Sequence, residues 1–226
     1  MIKNNLVSWN PIWEKVFSEQ SWGKYPPVSL IRFVARNFYH LNRSEVKILE
    51  VGFGTGPNIW YLSKEGFDAY GIEGSETGLK LAYERLTEEN LSATLINGDI
   101  VNLPYEDNFF DAVIDAECIY SNDLTSSQQI FSEIKRVLKP KGKFYTLTFS
   151  GNQFLGTDYE TLGENEYTNV KEGVFADRGF VRLTPRTSID EIYGDYFTII
   201  SVDELEATTN NGAIKTSELI IIGEKK

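Results

Sequence analysis

Hydrophobic positions change their period along this chain, and the changes divide it. In the first 40 residues Ile12 and Val16, then Leu30, Phe33 and Val34, recur at helical spacing. They predict two helices broken at Tyr25-Pro26-Pro27, because proline lacks a backbone donor and crowds the preceding turn. The segment is also aromatic-rich, with Trp9, Trp13, Phe17, Trp22, Tyr25, Phe33, Phe38 and Tyr39, as expected of helices that lid a core. From residue 46 short apolar runs alternate with amphipathic stretches. Strands are expected at 46–51, 69–72, 93–96, 110–114 and 143–149, and helices at 57–64, at 75–89 and from about Ile130 to Leu138. That alternation predicts a mostly parallel sheet with helices on both faces.

Residues 150–194 break the rhythm. They are rich in Gly, Asn, Asp and Glu with few apolar runs, and a stretch of that length is commonly functional or mobile. Two closing runs, Tyr196 to Val202 and Glu218 to Ile222, joined through Thr208-Thr209-Asn210-Asn211-Gly212, read as an antiparallel pair. The chain therefore reads as one domain. It has an N-terminal helical lid at 1–42, a core at 43–149, an insertion at 150–194 and a terminal strand pair at 195–226.

Composition narrows the function. With 41% hydrophobic residues, 226 positions suffice for one real core. The 22 Lys and Arg face 33 Asp and Glu, a net charge of −11, which argues against a nucleic-acid partner held across a broad basic face. One cysteine (Cys118) and one histidine (His40) leave no internal disulfide and no zinc set of the usual ligands, so no metal is expected. The first eight residues lack the apolar stretch of a secretory signal. No window reaches the ~20 apolar residues of a membrane helix. A cytoplasmic protein without membrane insertion is expected, with monomer and homodimer both open.

The chemistry concentrates at Glu50-Val51-Gly52-Phe53-Gly54-Thr55-Gly56-Pro57-Asn58, where a strand hands over to a helix. Glycines there let a ligand approach the backbone without a Cβ in the way. An acid, Glu73, follows at the end of the next strand, placed to accept from two ribose hydroxyls. A dinucleotide fingerprint requires its third glycine one residue later than Gly56, at the position Pro57 fills, which argues against a nicotinamide oxidoreductase.

The spacing Glu-x-Gly-x-Gly-x-Gly resembles instead the first motif of class I S-adenosylmethionine-dependent methyltransferases. Gly71-Ile72-Glu73-Gly74-Ser75 resembles the second motif and Asn97-Gly98-Asp99-Ile100 the third. The runs from Leu103 to Asp111 and from Leu138 to Lys143 are similar to the family's approaches to strands four and five. The resemblance spans roughly residues 46–149, its landmarks in order. It implies an α/β fold with a Rossmann-like seven-stranded, mostly parallel sheet whose last strand is antiparallel. It also implies S-adenosylmethionine as cofactor, S-adenosylhomocysteine as product, and a small-molecule acceptor. Carried over, Glu50, Gly52, Gly54 and Gly56 would surround the methionine part and Glu73 the ribose. Gly74 and Ser75 would take one face of the adenine, Asp99 and Ile100 its edge. Asp115 and Ala116 would lie near the sulfonium, with Tyr25 and its neighbours Trp22 and Lys24 as lid contacts.

Many small-molecule members place a histidine after strand four, and this chain has none there. Glu117 and Tyr120 are the candidates for proton removal, since a desolvated carboxylate is a competent base; His40, in an N-terminal helix, is the weaker alternative. Arg178, Arg182 and Arg186 fall within nine residues of the insertion. They are read as receivers of an anionic acceptor such as an acidic sugar, against the alternative of surface ion pairing with Asp177, Asp190 and Glu191. A nucleic-acid or protein methyltransferase, and a non-catalytic cofactor-binding module, remain as other readings.

Overall fold

The computed structural model describes residues 6–226. Five parallel strands, β1 (Lys47–Val51), β2 (Asp68–Glu73), β3 (Thr94–Asn97), β4 (Phe110–Ala116) and β5 (Leu138–Phe149), form the first part of its main sheet. Two further strands, β9 (Phe197–Thr209) and β10 (Ile214–Lys225), complete it in the order β3-β2-β1-β4-β5-β10-β9. β10 runs antiparallel to both neighbours, as the closing hairpin predicts.

Alternation across the pleat sends successive strand residues to opposite cores. Ile48, Ala112, Ile114 and Leu147 pack against α2 (Val28–Phe38) and α3 (Pro57–Lys64). Leu49, Val113, Phe144, Leu219 and Ile221 pack against α5 (Leu124–Val137) and the short α6 (Ile189–Tyr193). Both faces being covered explains why these strands read as nearly unbroken apolar runs. Ser75 caps α4 (Glu76–Glu88) by accepting the Gly78 N–H at 2.9 Å, and Asp123 caps α5 from Ser126 at 2.7 Å. At the sheet edge, the outer half of β9 is exposed and carries Asp203, Glu204 and Glu206, charges that discourage pairing with another chain.

The insertion is more ordered than its sequence predicts. Strands β6 (Glu160–Gly163), β7 (Glu166–Thr168) and β8 (Val181–Arg182) make a small antiparallel sheet. Leu155, Val170, Phe175, Val181 and Leu183 form a core of their own with Phe149 and Tyr120, and Trp13 packs against it. These apolar residues stand singly between polar ones, so no periodic run announced them. Trp13 belongs to α1 (Ile12–Glu19), so the first helix and the insertion meet at the carboxyl ends of β4 and β5. No helix among the described residues is long and apolar enough to cross a membrane.

Candidate active site

Strand order reverses between β1 and β4, and a crevice opens beyond the carboxyl ends of a sheet where that happens. Here the crevice is an open-mouthed cavity lined by the loops after β1, β2, β3 and β4 and by the N-terminal segment. Its floor is the loop from β1 to α3. Gly52 (φ 65°) and Gly54 (φ 54°) are left-handed, and a Cβ on Gly52 would lie 2.0 Å from the Cys118 sulfur. Gly56 serves packing instead: its Cβ would meet Ala82 of α4 at 2.7 Å, and it stands off the cavity wall.

Two carboxyls close the floor. Glu50 is buried, and the Asn58 side-chain amide donates to one of its oxygens at 2.6 Å while the other oxygen has no partner. Burial, with Glu73 and Asp115 nearby, pushes its pKa up to about 8. Glu73 accepts the Gly54 and Ser75 N–H groups, each at 2.8 Å, and its pKa is also raised by burial against the pull of those bonds. Ser75 itself lies off the wall, spent on capping α4.

Asp99 is held by the N-terminal segment. It accepts from Ser8 N–H at 2.9 Å, Trp9 N–H at 3.3 Å, Val101 N–H at 3.1 Å and the Ser8 hydroxyl. The Trp9 ring then lies over Gly74, where a Cβ would come within 2.2 Å of it. In the first turn of α1, Glu14 accepts from the Ser75 and Thr77 hydroxyls and, at 3.2 Å, from the Thr77 N–H. Those bonds hold the Glu14 pKa below its ordinary value and tie α1 to the start of α4. Trp13, Phe17 and Trp22 pack edge-on and tilted at 5.5–6.4 Å, with the Phe17 ring against Gly54 and the Arg178 guanidinium 5.0 Å over Trp22.

The turn after β4 forms the remaining wall. Ala116, Glu117 and Tyr120 line the cavity, and the Tyr120 ring is wedged between Phe149 and Phe175. Asp115 does not reach the cavity wall. Its carboxylate accepts from the Cys118 and Ile119 N–H groups and from the Thr146 hydroxyl, which fixes the turn; burial pushes its pKa up to about 6.

Tyr25 lines the mouth, as do Gly74 and Ile100 further in. The three arginines are parted, and this corrects the expectation that they act together. Arg178 lines the cavity. Arg182, in β8, is buried and donates to the Asn122 carbonyl at 3.1 Å and the Ser127 hydroxyl at 2.9 Å. Arg186 is exposed and bonds the Val202 carbonyl at 3.0 Å. His40 is exposed at the end of α2, away from the cavity. Sequence reasoning missed Ser8, Trp9, Asn58 and Glu14. The four-residue spacing of Trp9, Trp13 and Phe17 was the available signal.

Residues 49–146 match the model of the methyltransferase domain family. Over those residues, under half of its length, the chain is similar to methyltransferase domains. Demethylmenaquinone methyltransferase of Tropheryma whipplei is 32% identical to it over 105 residues, 46% of this chain and 42% of the relative. The chain spans less than half the length of the curated relatives it matches. Among solved structures, an S-adenosylmethionine-dependent methyltransferase of Methanosarcina mazei superposes with a TM-score of 0.70 at 20% identity, over 85% of this chain and 96% of that one. The [4+2]-cyclase SpnF does so at 0.67 with 17% identity, over 95% and 91%. These likenesses are of fold alone.

Proposed function

We propose that this chain is an enzyme that methylates a small molecule from S-adenosylmethionine. The observation that carries the reading is the unpartnered oxygen of Glu50, buried on the cavity floor beside Glu73. A buried acceptor without a donor costs about 1–3 kcal/mol, and a ligand ammonium would satisfy it. Glu73 keeps a free lone pair on each oxygen for the ribose hydroxyls, and Gly52 and Gly54 leave room along the methionine part. Trp9 and Ile100 flank the place for the adenine beside Asp99. Gly56, Ser75 and Asp115 support that cradle from behind, by packing, capping and fixing the turn.

When bound, the cofactor supplies a methyl carbon already activated by its sulfonium, so the protein's task is to position the acceptor and remove its proton. Glu117 faces that end of the cavity and takes the proton; Tyr120 shapes the wall, its hydroxyl too reluctant to ionise for a base because burial raises its pKa. Arg178, steadied on Trp22, receives one anionic group of the acceptor, an acidic sugar being one such molecule. The net charge of −11 favours a small acceptor over nucleic acid.

Calorimetry with S-adenosylhomocysteine tests this, with NAD as control. The expected result is binding of S-adenosylhomocysteine alone, lost in Glu73→Ala, followed by transfer of labelled methyl in a screen of sugars, acids and amines. Binding of NAD, or of neither ligand, overturns the reading.

A further inference from the structure

Glu117 stands at φ 57°, in the left-handed region that a residue with a Cβ seldom occupies. Its N–H donates to the Leu147 carbonyl at 2.9 Å, so the conformation is set by the edge of β5 and not by a free loop. On the other side of β5, β10 places Ile220 opposite Leu147 and Glu218 opposite Phe149. Glu218 shares a face with Ile220, which packs with Leu147 toward α2 and α3. The two carboxyls thus meet beside β5, Glu117 on the cavity wall and Glu218 half-buried behind it.

Two touching carboxyls repel when both are ionised, and one shared proton relieves this. Charges of both signs surround the pair. Arg178 from the insertion favours ionisation of Glu117, and Asp115 on β4 opposes it. Cys118 and Tyr120 on the turn are neutral, as is Tyr145 on β5, whose hydroxyl bonds Ser29 of α2 at 2.8 Å.

We propose that Glu218 is a positioning residue for Glu117: the two carboxyls share one proton, and Glu218 thereby holds Glu117 as the base at the acceptor end of the cavity. The inference rests on the reading of Glu117 as the base. Burial and the adjoining Glu218 both drive the Glu117 pKa upward, and burial raises that of Glu218. A base whose proton affinity lies near the working pH removes protons better than an ordinary surface carboxylate.

The test is a carbon-13 titration of the full chain labelled at the glutamate carboxyl carbons, from about pH 4 to about pH 10, with Glu117→Gln and Glu218→Gln assigning the two signals. Coupled sites each report both protonation steps, and Glu218→Gln should lower the Glu117 midpoint by about one unit or more. A Glu117 midpoint unmoved in a natively folded Glu218→Gln overturns the pair. Should that variant not fold, the wild-type curves decide, since two independent single steps overturn it equally. On an acceptor that takes label, Glu218→Gln should shift the acid limb of kcat to lower pH with KM unchanged, and Glu218→Asp should restore it in part. Wild-type turnover by Glu117→Gln would instead remove the role of Glu117 as base, a failure distinct from independent titration.

Discussion

The floor of the cavity and its roof are built in opposite ways. The floor comes from β1, β2 and the loops that follow them: Glu50, Gly52, Gly54 and Glu73 lie within 24 positions, and Glu73 is bonded to the Gly54 backbone. The roof joins Ser8 to Asp99 across 91 positions and Glu14 to Ser75 across 61, and Arg178 reaches Trp22 from the insertion. A floor made of short-range hydrogen bonds and left-handed glycines is fixed once its strands pair. A roof made of long-range side-chain contacts is fixed only when three remote segments have docked. The floor should therefore be the rigid part and the roof the part that opens.

The largest effect is expected at Arg182, which ties the insertion to the turn after β4 and the start of α5. Arg182→Ala removes the donor to Asn122 and Ser127 inside a packed region, and should cost about 3 kcal/mol of stability, read by denaturant unfolding. Next, Glu73→Ala should weaken S-adenosylhomocysteine about 100-fold, ~2.8 kcal/mol, by calorimetry, while a roof variant such as Trp9→Ala loses much less. Equal losses would erase the distinction between floor and roof.

Glu50 sharpens the comparison through pH. Its folded pKa of about 8 lies above the ordinary 4.5, so the folded state holds the extra proton between those values. Its contribution to stability is fully present below about pH 4.5 and is lost as pH rises to about 8. The melting temperature should fall across that window and fall less steeply in Glu50→Gln. Asp115 adds the same sign up to about pH 6.

A smaller effect is expected on the roof, where Glu14→Ala frees α1 from the start of α4. It should cost about 1 kcal/mol and speed amide exchange in α1, leaving β1 and β2 protected. The smallest belongs to Arg186→Ala, whose exposed side chain meets one carbonyl: stability should change by less than ~0.5 kcal/mol, and the acceptor KM not at all. Arg178→Ala should raise that KM about tenfold at the small stability loss of one cation–π contact, about 0.5–1 kcal/mol, which separates the two arginines that look alike in sequence.

Periodicity and local motifs determined the strand–helix alternation, the closing antiparallel pair and the glycine floor with Glu50 and Glu73. The causes are local: pleat alternation, the need for absent Cβ atoms at a tight turn, and proline breaks. Tertiary structure alone decided that Asp99 receives Ser8 and Trp9, and that Asp115 fixes a turn instead of facing the cavity. It also sent Arg182 inward and Arg186 outward, and brought Glu218 to Glu117. Each of those depends on register between strands or on docking of segments far apart in the chain, where one residue of offset sends a side chain to the opposite face. Residue type alone carries no record of that offset.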